Sequence, residues 1–147
     1  MQPNIVIVLL ESTFDENKAF DYLPARNSSF ASKENTTLLQ GPLYVNAVGG
    51  GTWVSEFEAI TGMPASLFGW SGGYTHITLS PYIKHTFVHY LVDKGYETIG
   101  LYPIPGDFYS ARQAYLKYGF KKFIDGNDLG IQNPWKSTDL DLSLIHI

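Results

Sequence analysis

Six consecutive apolar residues, Ile5-Val6-Ile7-Val8-Leu9-Leu10, form the longest uninterrupted hydrophobic run in the chain. The run is rich in β-branched residues and lacks polar alternation, which predicts a strand buried on both faces of a parallel sheet. Residues 12–40 are mixed and polar and read as surface loop around short helical pieces. A short strand is predicted within residues 38–48, leading into Gly49-Gly50-Gly51. From Thr52 the spacing turns helical, with Thr52 as the expected N-cap and Thr61-Gly62-Met63-Pro64 as the stop. Residues 67–76, rich in Gly, Trp and Tyr, read as a flexible aromatic loop of the kind that walls or covers a cleft.

Ser80-Pro81 then predicts the start of a helix with Ile83, Phe87, Val88, Leu91 and Val92 on one face, ended by Lys94-Gly95. Residues 98–102 form the next expected strand, residues 107–118 another helix closed by Gly119, and residues 120–125 a final short segment. The alternation β, α, β, α, β predicts an α/β fold, a layered sheet with helices on both faces.

Composition narrows this further. At 147 residues, 44% hydrophobic and 15% aromatic, the chain has material for one sizeable core and not for two independent domains. A net charge of −4 with no basic cluster gives no electrostatic footprint for nucleic acid. The absence of cysteine excludes disulfides, thiolate metal sites and a cysteine nucleophile. No apolar run approaches the ~20 residues needed to cross a bilayer, and no secretory leader precedes the first strand, so the chain as written reads as soluble.

Candidate chemistry gathers around the glycines. Three in succession let a ligand approach the main chain, and the first turn of the following helix offers unpaired N–H groups and the positive end of its dipole, a corner suited to an oxyanion. Glu11 follows the first predicted strand directly, at the carboxyl edge where open α/β sheets bind ligands. Glu11 and Thr52 together would suit a divalent cation, the carboxylate as hard oxygen ligand and the hydroxyl as a ligand that becomes a nucleophile. The competing account is a plain helix cap and a solvated carboxylate.

Other groups also carry two readings. His85 and His89 are spaced for one helix face but lack the intervening glutamate of a zinc-protease motif, so they read as surface. His76 reads either as a solvated loop side chain or as a substrate contact. Trp53 sits in an amphipathic helix and reads as core or as support for the site. Trp70, Tyr74, Tyr102, Phe108 and Tyr109 are core filler or stacking surfaces. Arg112 is either a phosphate clamp or a solvated helix residue.

Pro3-Asn4-Ile5-Val6-Ile7-Val8-Leu9-Leu10-Glu11-Ser12 resembles the opening strand of the sulfatase-like branch of the alkaline phosphatase superfamily, closest to lipoteichoic-acid synthase and phosphoglycerol transferase enzymes. Gly51-Thr52-Trp53-Val54-Ser55-Glu56-Phe57 is similar to that group's nucleophile segment. Gly95-Tyr96, Phe108-Tyr109, Tyr118-Gly119-Phe120 and Phe123-Ile124-Asp125 continue the resemblance in order. The resemblance implies a metal-dependent phospho-group transferase or hydrolase in which Thr52 forms a phospho-threonine and Glu11 and Thr52 bind the metal. Gly51, Trp53, Tyr102, Tyr109 and Arg112 would then contact a lipid headgroup such as phosphoglycerol or phosphoethanolamine, or an envelope glycan. The implied cofactor is a divalent ion, Mn, Mg or Zn, whose remaining Asp-His ligands are expected from a missing C-terminal part.

The chain departs from that group in two places. Tyr102-Pro103 stands where such transferases often carry a histidine, and Tyr109-Ser110-Ala111-Arg112 stands for their Trp-Asn-Arg. A sulfuric ester hydrolase of the same fold is an alternative, although the Cys/Ser-x-Pro-x-Arg segment that such enzymes convert to formylglycine is absent. A non-catalytic glycan or headgroup-binding domain is another. The resemblance also implies work at the periplasmic or extracellular face of the cytoplasmic membrane, with membrane association only through segments outside this chain.

Residues 1–141 therefore read as the N-terminal portion of one catalytic domain. The tail 142–147, Leu-Ser-Leu-Ile-His-Ile, has no capping or turn logic and equals one reading frame of a transposon mosaic-end sequencing adapter, CTG TCT CTT ATA CAC ATC. His146 accordingly carries no functional meaning in this reading.

Overall fold

A computed structural model describes residues 2–10, 22, 41, 43–47 and 49–136. The chain divides into two units, Met1–Val45 and Asn46–Ile147. In the first unit, residues 5–10 adopt no regular secondary structure, and their side chains are between 42% and 81% exposed. The predicted buried strand is therefore not formed among the described residues. Residues 43–47 likewise form no strand.

The second unit contains the regular elements. Helix α1 spans Thr52–Thr61, and a run of 3-10 turns spans Ala65–Tyr74, interrupted at Gly69 with φ 54°. Helix α2, Thr75–Thr78, is one turn long and leads into a 3-10 turn, Ser80–Tyr82. Helix α3 covers Phe87–Asp93, strand β1 Ile99–Tyr102, a further 3-10 turn Phe108–Ser110, helix α4 Ala111–Lys117 and strand β2 Lys122–Asp125.

Local chemistry accounts for most of these boundaries. Gly62 ends α1 in the left-handed region, its N–H donating to the Glu58 carbonyl at 2.8 Å. The helix expected from Ser80 instead begins at Phe87, because Ile83 and Thr86 are extended and Thr86 supplies the N-cap, accepting from the His89 N–H at 3.1 Å. The Thr86 hydroxyl also donates to the Tyr118 carbonyl at 2.6 Å, which ties the cap to α4. At the other end of α3, Tyr96 N–H reaches the Leu91 carbonyl and Gly95 N–H the Val92 carbonyl, the paired bonds of a Schellman stop. Gly119 and Phe120 repeat that arrangement after α4.

The helix expected over residues 107–118 is broken. Tyr109 and Ser110 both adopt positive φ, 47° and 59°, so a 3-10 turn and α4 meet at a strained corner.

Strands β1 and β2 pair in parallel with Ile99 opposite Lys122 and Tyr102 opposite Asp125. Parallel neighbours need a crossover, and α4 supplies it. Gly100, Phe123 and Asp125 on one face are buried; Ile99 and Leu101 on the other are 46% and 43% exposed. The α/β class is as expected. Tyr115 of α4 occupies the covered face so closely that a Cβ on Gly100 would lie 2.7 Å from its ring.

The core lies where α1, α3 and α4 meet. Phe57, Val88, Ala114 and Tyr118 are at its centre, with the Phe57 ring edge-on to Phe68 and Tyr118 at 5.9 and 6.3 Å between centroids. Among the described residues no helix is long and apolar enough to cross a membrane.

Candidate active site

Gly49 and Gly50 take φ values of 65° and 84°, which only glycine adopts without strain, and they turn the chain into α1. Gly51 occupies the N-cap position, and its carbonyl accepts from the Val54 N–H at 2.8 Å. Thr52 is thus the first helical residue and not the cap, a correction of one position. It stays at the helix start, where the N–H groups of the first turn and the dipole favour an anion.

Beside this corner lies an open cleft of about 530 Å³, within the second unit, whose walls include Gly49, Gly50, Gly51, Trp53, Tyr74 and Tyr109. Asn46 and Ser66 add polar side chains, and among the described residues no charged side chain lines the cleft. Trp53 forms its aromatic floor. Its indole stacks on Tyr109 with centroids 3.9 Å apart and more loosely on Tyr74 at 6.5 Å, and its Nε1–H donates to the Gly73 carbonyl at 2.8 Å. The segment expected as a flexible aromatic loop is therefore a set of 3-10 turns held against α1. Trp70, at 90% exposure, projects from it into solvent.

The expected site residues separate into three groups. Gly51, Trp53 and Tyr109 line the cleft; Thr52, between the first two in the chain, is not itself among its lining residues. Tyr102 and Arg112 are not among the cleft's lining residues. Tyr102 packs on the covered sheet face against Tyr115 and Phe123, with centroids 6.0 and 5.8 Å away. Glu11 lies outside the described residues.

Arg112 is committed elsewhere. Its Nη2 donates to Asp125 Oδ2 at 2.7 Å and Asp128 Oδ2 at 2.9 Å, and its Nη1 to the Phe123 carbonyl at 3.2 Å. Asp125 also accepts from the N–H groups of Gly106, Asn127 and Asp128. Burial by itself raises the Asp125 carboxyl, but these backbone donors and the guanidinium outweigh it and hold the group below the ordinary carboxylate range. The Arg112 bond and the Asp125 N–H lower Asp128 as well, and the two carboxylates raise Arg112. In this geometry the guanidinium fastens the end of β2 to α4, in place of the phosphate clamp read from sequence.

The histidines also resolve. His85 precedes α3 and shares no helix face with His89, whose Nδ1 lies 3.0 Å from the Thr86 hydroxyl. His76 is neither solvated nor a cleft residue. It is 2% exposed, with Nε2 3.3 Å from Oε2 of Glu56, which is also buried. Sequence reasoning passed over Glu56, yet a signal was present: Trp53, Glu56, Phe57 and Ile60 follow i, i+3, i+4, i+7 spacing, which puts a carboxylate in the buried stripe of α1.

As for metal ligands, no cluster of three His, Asp or Glu side chains placed to hold an ion occurs among the described residues. Thr52 is the one expected ligand described, so these residues do not by themselves assemble a metal site.

Comparison with known proteins identifies a relative and a family. A protein of Haemophilus influenzae described as "Uncharacterized protein" is 31% identical over 143 residues, covering 97% of this chain and 26% of the relative. The chain thus spans about a quarter of the length of the curated relative it matches. No solved structure matches. The Sulfatase family profile matches residues 3–142, nearly the whole chain, and the chain belongs to the sulfatase family.

Proposed function

We propose that residues 1–141 are the N-terminal part of a metal-dependent phospho-group transferase or hydrolase that acts on a lipid headgroup such as phosphoglycerol or phosphoethanolamine, with Thr52 as nucleophile. Membership of the sulfatase family supports hydrolase or transferase activity in general. The observation that carries the more specific reading is the position of Thr52, first in a ten-residue helix after three glycines and between Gly51 and Trp53, which line a cleft with Tyr109.

In this reading the Thr52 hydroxyl oxygen attacks phosphorus, the bond from phosphorus to the donor's oxygen breaks, and the donor leaves as an alcohol carrying the proton. An acceptor hydroxyl or water then attacks the phospho-threonine, and the Thr52 hydroxyl is restored. The first-turn N–H groups of α1 stabilise negative charge on the transferring group, and the glycines allow its oxygens to reach the main chain. A divalent ion, Mn, Mg or Zn, held by Glu11, Thr52 and ligands beyond this chain, would neutralise charge on the group and acidify the threonine hydroxyl. The aromatic floor takes the non-reacting part of the headgroup. The parent protein would work at the outer face of the cytoplasmic membrane, joined to it through segments outside this chain.

The experiment is Thr52→Ala in the complete gene product, with turnover of a chromogenic phosphodiester and mass spectrometry for phospho-threonine at position 52. Turnover and adduct should both vanish while the melting transition is unchanged. Retained turnover ends the proposal.

One observation favours a second reading. Trp70 at 90% and Tyr74 at 45% exposure present aromatic faces of the kind a non-catalytic glycan- or headgroup-binding domain uses. In that case Trp70→Ala weakens glycan binding, and no phosphoester is turned over.

A further inference from the structure

The start of α1 is held by polar contacts that converge on one short segment, residues 73–76. The Trp53 Nε1–H donates to the Gly73 carbonyl at 2.8 Å, the fully buried Thr75 hydroxyl donates to the Trp53 carbonyl at 2.9 Å, and His76 Nε2 stands 3.3 Å from Glu56 Oε2. Further along, Phe57 and Ile60 seat the helix in the core, and Glu58 Oε1 accepts from the Ala65 N–H and from Asn46 Nδ2, each at 2.8 Å.

The Glu56–His76 pair is a poor device for stability alone. Both side chains are withdrawn from water, and among the described residues neither His76 ring nitrogen nor Glu56 Oε2 has a hydrogen-bond partner, so the 3.3 Å approach is a polar contact without hydrogen-bond geometry. Burying such groups costs several kcal/mol in desolvation, which a single imperfect contact seldom recovers. What the pair does supply is direction. Glu56 lies one helical turn after Thr52 and therefore on the same side of α1, so a fixed carboxylate fixes the azimuth of the threonine above it.

We infer that Glu56, His76 and Thr75 are positioning residues for Thr52, holding the first turn of α1 so that the Thr52 hydroxyl is presented in one orientation. This inference rests on Thr52 being the nucleophile. A group misplaced by about 1 Å loses on the order of a hundredfold in rate, so even partial loosening of these contacts lowers turnover.

The test uses the complete gene product, bis(p-nitrophenyl) phosphate as substrate, and temperatures well below each variant's melting transition. Glu56→Gln and His76→Gln are each expected to lower kcat about tenfold or more with KM within about twofold, a split that loss of an interaction specific to the reacting geometry produces. Thr75→Val is nearly isosteric and removes the hydroxyl that bonds the Trp53 carbonyl, so it keeps the inference testable should the pair variants fail to fold. It should lower kcat in the same way, and Thr75→Ser should restore it.

Combined with Thr52→Ser, whose hydroxyl is already less constrained, each loss should shrink severalfold because the residues act through position 52. Parental kcat in the foldable variants, or losses that multiply unchanged onto Thr52→Ser, would overturn the positioning role while Thr52→Ala stays inactive. Turnover by Thr52→Ala would instead overturn the nucleophile reading and this inference with it.

Discussion

The Tyr109 ring lies against the Trp53 indole with centroids 3.9 Å apart and planes 23° apart, although Tyr109 must adopt a left-handed backbone to bring it there. A left-handed conformation costs a side-chain-bearing residue about 1–2 kcal/mol, and a stacked aromatic pair returns roughly 0.5–1.5 kcal/mol beyond its buried area. The contact therefore offsets the strain that the corner before α4 stores at the edge of the cleft. Tyr109→Leu leaves the strain and removes the stack. It should lower stability by about 1 kcal/mol, read from denaturant unfolding of the complete gene product, with a change in tryptophan emission at the native baseline; an unaltered midpoint and spectrum would contradict the coupling.

Gly72 sits where the 3-10 turns pass under the start of their own segment. A Cβ there would overlap the Ala65 carbonyl oxygen, and a backbone atom cannot swing aside as a long side chain can. Gly72→Ala should cost about 1–3 kcal/mol as an overpacked site and displace the wall that carries Tyr74. Circular dichroism melts would register the first effect. Quenching of Trp53 by acrylamide should increase with the second.

Asp125 is the hub that joins Gly106, Arg112 and the turn after β2. Asp125→Asn should destabilise by about 1.5–3 kcal/mol at neutral pH, the range for hydrogen bonds to a charged group. The folded-state pKa values of Asp125 and Asp128 lie below their unfolded ones, so the stability they contribute is complete above the ordinary carboxylate range and is lost as pH falls through the folded values. The gap in midpoint between parent and variant should thus be constant from about pH 6 to 8 and close below about pH 4. A gap that widens on acidification would show that the network is held by something other than these charges.

Thr86 does two things with one hydroxyl, capping α3 through the His89 N–H and donating to the Tyr118 carbonyl. Thr86→Val keeps the shape and loses both bonds. The expected cost is about 1–2 kcal/mol, from the lost cap and the unpaired N–H and C=O groups left behind. Thr86→Ser should recover most of it, and equal loss in both variants would indicate packing instead.

Among the predicted features, those set by neighbours in the chain appear where expected. Gly62, Gly95 and Gly119 end their helices through bonds to carbonyls three to five residues back, so the stop signal and its partner lie in the same short segment. The strand at Ile99–Tyr102 and the glycine turn before Thr52 are equally local. Family membership was legible too, because it resides in the order of short motifs and not in any one contact.

Other features depended on residues far apart in sequence. Arg112 has the chemistry of a phosphate clamp until β2 brings Asp125 and Asp128 to its guanidinium, and the same opposite charges that would recruit a ligand then satisfy it internally. His76 looks like a loop side chain until α2 packs it beside Glu56. The helix expected over residues 107–118 breaks at Tyr109 and Ser110, where the Tyr109 ring stacks on Trp53, a partner no helical periodicity can anticipate. The sequence by itself determined where the helices stop, since the glycine caps act within one or two turns. Tertiary structure decided which polar groups remain available for chemistry, because that depends on the partner each one meets once water has been excluded.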